Sequence, residues 1–293
     1  MNKSYQWKLY WELARPADYI KNLFVLAPLF FAGEVLIIEK LRLGGVAIIV
    51  FCLLSSSCYA INDVLDAQSD RNHPLKKTRP VASGRLKPGF ALTAACVWAG
   101  IGFAFSLSIS LQFLLIGVSY FLLQLLYSFF LKHWPICDVA SISMGFILRV
   151  IAGGCAVELF VSTWLIGCTG LLTLFLGIGK RLCELTILEN PMAHRRVFRY
   201  YTPYILEKSL GIIGFLTLAS YVSYLIFSEN GAMGYHLGLF STLPLVAAGF
   251  YRIFTIFRYD CHGEGIVEIV VRDTFIQRIL TAWVCIFFVI LYI

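Results

Sequence analysis

The stretch at 61–80, INDVLDAQSDRNHPLKKTRP, gathers three aspartates, four Lys or Arg side chains, a histidine and two prolines in twenty residues. On a helix turning 100° per residue, Asn62, Asp63, Asp66 and Asp70 point at about 0°, 100°, 40° and 80°, so all four share one face over two turns. Carboxylates this close repel one another unless a cation joins them. Ligands that are all oxygen favour Mg²⁺ or Ca²⁺ over zinc. Magnesium takes one or two carboxylates and fills its shell with water and substrate phosphates. Arg71, Lys76, Lys77, Arg79, Arg85 and Lys87 follow directly, and cations of this kind bind phosphate oxygens. The combination suits a diphosphate bridged to protein by Mg²⁺, with Asp63, Asp66 and Asp70 as metal ligands. The alternative is a solvated helix end, which has no need of an acidic face inside a basic loop.

The elements that must position these residues are apolar. The run just before the motif, GGVAIIVFCLLSSSCYA, carries no charge, and the 293-residue chain is 59% hydrophobic and 14% charged, with mean hydropathy +0.79. A soluble domain is nearer half apolar and a quarter charged. Runs long enough to cross a hydrocarbon core of about 30 Å recur from end to end. The chain therefore reads as an all-α polytopic membrane protein with nine transmembrane helices. They are expected at 19–38, 43–62, 88–108, 110–131, 136–157, 161–179, 204–227, 236–256 and 274–293. An odd count places the termini on opposite sides. Of the 24 Lys and Arg, 21 lie in the N-terminal segment, in connections 2–3, 4–5, 6–7 and 8–9, or at the span ends beside them; only Lys40 and Arg42 lie on the other side, and Arg149 lies within a span. By the positive-inside rule the N-terminus and the long connections, including 63–87 and 180–203, face the cytoplasm.

The whole of 1–293 reads as one integral membrane domain. Residues 1–18, with Trp7, Tyr10 and Trp11 beside Lys3, Lys8 and Arg15, read as an interfacial helix rather than a secretory leader. The net charge of +7 is a topology signal plus attraction to anionic membrane lipids. No nucleic-acid partner is expected, since the basic residues are spread over several loops without a binding motif. Nine cysteines without a C-x-x-C pair read as small apolar residues in a reducing setting. The five histidines lack zinc-ligand spacing.

Within span five, Asp138, Ser141, Gly145 and Arg149 fall within about 80° of one another, and Arg149 is roughly 16 Å deeper than Asp138. A charge inside a span usually faces a polar cavity. Arg149 either binds a phosphate or pairs with an acid in the bundle. Gly153-Gly154 reads as close helix packing.

With these residues in view the chain resembles a known family. N-D-x-x-D-x-x-x-D at 62–70 is similar to the first acidic motif of the UbiA superfamily of nine-helix intramembrane prenyltransferases. RPADYIKNLFVLAPLFFAG (15–33), HPLKKTRPVASG (73–84), LKHWPICDVASISMGFILRVIAGG (131–154), GKRLCEL (179–185) and EGIVEIVVRD (264–273) occur in order. Together they resemble the decaprenyl-phosphate phosphoribosyltransferase branch. The resemblance implies a UbiA-type bundle in the bacterial inner membrane with a cytoplasmic-side active site. It also implies Mg²⁺ as cofactor, 5-phosphoribosyl 1-diphosphate (PRPP) as donor, a polyprenyl phosphate as acceptor, and a homotrimer.

The second half of the site departs from aromatic prenyltransferases, which carry a second D-x-x-x-D between spans six and seven. Here GKRLCELTILENPMAHRRVFRYY has Glu184 and Glu189 but no aspartate, with Lys180, Arg181, Arg195, Arg196 and Arg199. Fewer acids and more cations suit a donor with an extra 5′-phosphate. Lys180 and Glu184 are i, i+4 and face each other. Related enzymes have Y-x-x-x-K where this chain has Tyr127 and Lys132 with one more residue between them; Lys132 is expected to touch phosphate. Arg15, Lys21 and Asn22 open span one on the same face and are expected to help hold the lipid phosphate, positive-inside anchoring being the alternative. The competing functions are an aromatic-acceptor prenyltransferase with a prenyl diphosphate donor, and a non-enzymatic transporter. The missing second aspartate motif counts against the first. Charge at one surface, without inverted repeats, counts against the second.

Overall fold

The structure is a computed structural model that describes residues 3–72, 76–187, 196–227, 238–261, 269 and 272–293; the side chains of residues 3–6 and 196 lie outside that description. His73, Pro74, Glu189 and Arg195, named above, fall outside it too.

Among the described residues every regular element is helical. The helices are α1 (Lys3–Ala14), α2 (Ala27–Phe31), α3 (Ile38–Leu65), α4 (Ala67–Arg71), α5 (Pro88–Ile109), α6 (Leu111–Phe129), α7 (Cys137–Ala156), α8 (Thr163–Ile187), α9 (Pro203–Phe227), α10 (Leu243–Tyr259) and α11 (Thr274–Tyr292). Among the described residues, eight helical stretches are long and apolar enough to cross a membrane: α3, α5 to α9, Gly238–Tyr259, which contains α10, and α11. Their ends match expectation to within a few residues, with two exceptions besides the first run. Helix α3 begins at Ile38 rather than 43, and α8 continues to Ile187 rather than stopping at 179.

The first expected span, 19–38, is not one long α-helix. Its place is taken by a 3₁₀ run over Pro16–Leu26 followed by the five-residue α2. Two prolines explain the break. Pro16 fixes the first position of the 3₁₀ run, and Pro28 removes a donor inside the apolar stretch. Between them Asn22 is turned inward, 1% exposed, where it needs polar partners. The acidic motif is also less regular than an uninterrupted helix. Helix α3 ends at Leu65, Asp66 adopts φ −92°, ψ 3°, and α4 follows. The backbone bonds Asp66 N to Asn62 O (2.9 Å) and Asp70 N to Asp66 O (2.8 Å) carry helical spacing across the break, so the expected common face survives.

The chain divides into two compact units. The first comprises 1–29, 35–132 and 148–160. Its apolar core joins Val25 and Leu29 to Phe51 and Leu54 of α3, Phe113 and Tyr120 of α6, and Ala152 and Ala156 of α7. A Cβ on Gly153 would sit 1.8 Å from the Val25 carbonyl oxygen, so the α7 backbone there tolerates hydrogen alone. Close packing at Gly153-Gly154 was the expectation. Helix α1 buries Leu9 and Leu13 (1% and 0% exposed) and turns Trp7 and Trp11 outward (74% and 67%), a two-faced pattern.

The second unit comprises 30–34, 133–147 and 161–293. One core packs Phe175, Ile178 and Leu182 of α8 against Leu206, Leu210, Ile256 and Phe257. An aromatic cluster of Phe30, Phe31, Trp283 and Phe287 forms a second. Cys183 and Cys261 are joined by a disulfide with Cα atoms 5.6 Å apart, within the range that such a bridge needs. This corrects the reading of all nine cysteines as unpaired: spacing along the chain does not reveal a contact across 78 residues.

Candidate active site

In the first unit the acidic motif is threaded with cations. Asp63, one helical turn beyond Tyr59, is 1% exposed. The Arg15 guanidinium donates to Asp63 Oδ1 and lies over the Tyr59 ring, 5.1 Å from its centroid. Arg15 itself takes φ +55° ahead of Pro16. The left-handed residue stands between the end of α1 and the 3₁₀ run. Arg79 Nη1 lies 2.6 Å from Asp70 Oδ2 and 3.2 Å from Asp63 Oδ1, so one nitrogen bridges two carboxylates. Lys132 Nζ lies 2.5 Å from Asp66 Oδ1. Burial, and next the neighbouring Arg15 guanidinium, pull Arg79 below the ordinary arginine range, while Asp63 and Asp70 pull the other way. Asp63 Oδ2 and Asn62 Oδ1 are buried without a hydrogen-bond partner. Oxygens left so are costly unless something binds them.

The other basic residues of the 63–87 loop divide. Arg71 Nε donates to the Ala82 carbonyl at 3.1 Å, and Arg85 pairs with Glu12 of α1 at 2.9 Å, so both tie the loop down. Lys77 is exposed and Lys76 half-buried. Lys21 pairs with Asp18 three residues before it.

Deeper in the same unit Arg149 is 4% exposed. Its Nε donates to Asn22 Oδ1 (2.9 Å) and its Nη2 to the Tyr120 hydroxyl (2.8 Å), with the guanidinium 4.7 Å from the Tyr120 ring centroid. Asn22 Nδ2 in turn donates to Cys52 Sγ at 3.2 Å and Ser55 Oγ at 3.4 Å. From sequence Arg149 was expected to meet a phosphate or an acid; its hydrogen bonds include an amide and a phenol. Asn22 and Arg149, both named from sequence, thus meet each other.

Asp138 lies on the same helix as Arg149 but belongs to the second unit. There Arg181 Nε donates to Asp138 Oδ2 at 2.7 Å and its Nη1 to Glu184 Oε2 at 2.5 Å. Both Arg181 (1%) and Asp138 (0%) are sealed from solvent. The Tyr201 hydroxyl donates to Asp138 Oδ1 at 2.6 Å and accepts from the Ile136 backbone N–H at 2.9 Å. Ile136, a β-branched residue at φ +66°, is strained, and that bond helps hold it. Burial first, then the bond to Asp138, raises the Tyr201 phenol above its ordinary value. Glu184, expected from spacing to face Lys180, pairs with Arg181, and Lys180 is half-buried.

Sequence reasoning named Arg15 only as an anchor or lipid-phosphate contact and gave Tyr201 and Tyr120 no part. The RP pair was the one signal for Arg15: a residue before proline is pushed from helical geometry. Nothing local marks the tyrosines. Among the described residues no three His, Cys, Asp or Glu side chains are gathered as a ready metal cage. Yet the donor set fits a hard cation. It is all oxygen, two of its oxygens are orphaned, and the Arg79 nitrogen already stands as a cation between two carboxylates.

The UbiA prenyltransferase family model matches residues 23–265. The chain is 33% identical to a decaprenyl-phosphate phosphoribosyltransferase of Corynebacterium glutamicum, over 92% of this chain and 82% of that one. It is 32% identical to the Mycolicibacterium smegmatis protein of that name, over 93% and 89%. The Mycobacterium tuberculosis protein is 30% identical over 92% and 90%. In fold, a UbiA homolog from Archaeoglobus fulgidus solved bound to GPP and Mg²⁺ superposes with TM-score 0.72 at 17% identity, covering 97% of this chain and 99% of that one. With eight apolar helices of spanning length and a family match across most of its residues, the chain is an integral membrane enzyme that belongs to the UbiA prenyltransferase family.

Proposed function

We propose that the enzyme transfers 5-phosphoribose from PRPP to a polyprenyl phosphate, releasing diphosphate and leaving polyprenyl-phosphoryl-5-phosphoribose. The observation that carries the reading is the interleaved cluster of Asp63, Asp66 and Asp70 with Arg15, Arg79 and Lys132, drawn from separate elements of one unit. A site for a metal diphosphate needs both signs of charge in alternation. The sugar donor is favoured by identity, over nearly the whole chain, to proteins named for phosphoribosyl transfer, and by a 180–203 connection rich in cations without aspartate.

Mg²⁺, held by Asp63, Asp66 and Asp70, would neutralise charge on the leaving diphosphate. Arg15, Arg79 and Lys132 add to that neutralisation from the protein side. The C1–O bond to diphosphate breaks with its electron pair leaving on oxygen. A lipid phosphate oxygen forms the new bond to C1 from the opposite face, so the configuration inverts. A phosphate monoester is already anionic near neutral pH, and no general base is needed. Catalysis is then positioning and electrostatics. The Asn22–Arg149–Tyr120 bonds hold the 3₁₀ run that follows Arg15 against α7 and α6, and Arg181 holds Asp138 and Glu184. Lys76 and Lys77, on the loop that carries Arg79, are offered for the 5′-phosphate. The acceptor arrives from the bilayer, with chemistry at the cytoplasmic face of a bacterial inner membrane, in a homotrimer.

Purified protein with Mg²⁺, PRPP and decaprenyl phosphate should release diphosphate, and Asp63→Asn or Asp66→Asn should abolish release. Geranyl diphosphate should not compete with PRPP. Competition by the prenyl donor, together with transfer to an aromatic acceptor, would return the enzyme to the ordinary prenyltransferase reaction.

A further inference from the structure

We infer that Arg15, Arg79 and Lys132 are exchangeable counterions that keep the acidic motif closed to a lone metal ion and open it to metal and diphosphate together. This rests on the diphosphate reading above and adds an order of binding to it.

Asp63, Asp66 and Asp70 face Arg15, Arg79 and Lys132, so the three carboxylates and three cations balance. One oxygen of each carboxylate is engaged. Asp63 Oδ1 accepts from Arg15 and lies 3.2 Å from Arg79; Asp70 Oδ2 lies 2.6 Å from Arg79; Asp66 Oδ1 lies 2.5 Å from Lys132. A divalent ion entering alone would meet three fixed positive charges and would have to break those pairs with nothing to receive the released cations. Arg15, Arg79 and Lys132 are 21%, 22% and 11% exposed, and cations this far withdrawn from water are disfavoured without partners. A diphosphate entering alone would meet cations already satisfied and carboxylates that repel it. When both enter, each released cation finds a phosphate oxygen and each released carboxylate finds the metal. Asp63 Oδ2 and Asn62 Oδ1, buried and unpartnered, gain a use in that state alone.

The consequence is reciprocal coupling. If pyrophosphate raises metal affinity by some factor, metal raises pyrophosphate affinity by the same factor. Intact detergent-purified protein is titrated with Mn²⁺, followed by electron paramagnetic resonance of the free ion, with and without inorganic pyrophosphate. The converse titration uses calorimetry. The expected result is weak Mn²⁺ binding alone, strengthened more than about tenfold by pyrophosphate, within the usual range of coupling between sites. Arg79→Gln should tighten binding of Mn²⁺ alone and shrink the coupling factor. Lys132→Gln, which touches a different carboxylate, should do the same independently if the first variant unfolds. Mn²⁺ binding alone as tight as with pyrophosphate, or coupling unchanged in both variants, overturns the counterion exchange while leaving the diphosphate site intact. Absence of Mn²⁺ binding with both pyrophosphate and PRPP overturns the site as well.

Discussion

Replacing Arg181 by methionine tests whether the most buried charge of the second unit supports the fold or touches the substrate. The side chain is 1% exposed and its chief partner, Asp138, is 0% exposed. Methionine keeps much of the volume but strips Asp138 of its cation, leaving the Tyr201 hydroxyl. Breaking a buried pair by removing one member costs about 3–5 kcal/mol. At roughly 2–4 °C per kcal/mol for a chain of this class, the unfolding midpoint should fall by about 6–20 °C. Changing both members, Arg181→Met with Asp138→Leu, should recover most of that loss, because an apolar pair of similar volume is often no worse than a buried ion pair. The pair's coupling then emerges from the double-mutant cycle. The assay is thermal unfolding of the purified protein in detergent, run beside diphosphate release at a temperature where every variant is folded. An Arg181→Met midpoint within about 2 °C of wild type, accompanied by loss of turnover, would refute the reasoning and make Arg181 a substrate ligand.

Gly153→Ala would drive a Cβ to 1.8 Å from the Val25 carbonyl; overpacking of this kind costs about 1–3 kcal/mol. It should also loosen the Arg149–Asn22 bond one turn away, seen as a lower unfolding midpoint and faster hydrogen exchange in 16–26. Asp273 caps α11 by accepting from the Ile276 N–H at 2.9 Å and pairs with Arg252 at 2.9 Å, so Asp273→Ala should cost about 1 kcal/mol. Burial would raise this carboxyl, but the cap and Arg252 outweigh it and leave it below its ordinary value of 3.8. Its stabilisation is present above that pH and is lost as pH falls below it, so wild type and variant should converge in acid denaturation. The Tyr201 phenol is shifted the other way, above its ordinary 10.0. Its contribution is intact below pH 10 and lost on going higher, so the stability gap between wild type and Tyr201→Phe should narrow as pH rises past that value. Peptide mapping without reductant should recover Cys183 and Cys261 as one cross-linked species.

Composition made the bundle legible because spanning helices are apolar by necessity, and the acidic motif was legible because its spacing repeats the helical turn. What stayed hidden was mostly tertiary. The run 19–38 is apolar enough for a helix, yet two prolines and an inward amide that must reach Arg149, 127 residues away, override composition. Helix α8 runs past 179 because Arg181 finds a buried acid 43 residues earlier in the chain, which a hydropathy window scores as a charged stop. Arg79 was visible as one of several loop cations; its choice as the bridge between Asp63 and Asp70 was not, since that depends on how the loop returns.

The broken opening run still has the stature of a crossing. A 3₁₀ helix rises about 2.0 Å per residue, so the eleven residues of Pro16–Leu26 reach about 22 Å, and the five of α2 add about 7.5 Å at 1.5 Å each. The sum is close to the hydrocarbon thickness of about 30 Å, achieved with fewer amino acids than an α-helix needs. A crossing by this stretch would make the number of traverses odd without a ninth long helix, and glycosylation or cysteine-labelling reporters at the two chain ends would then report opposite compartments.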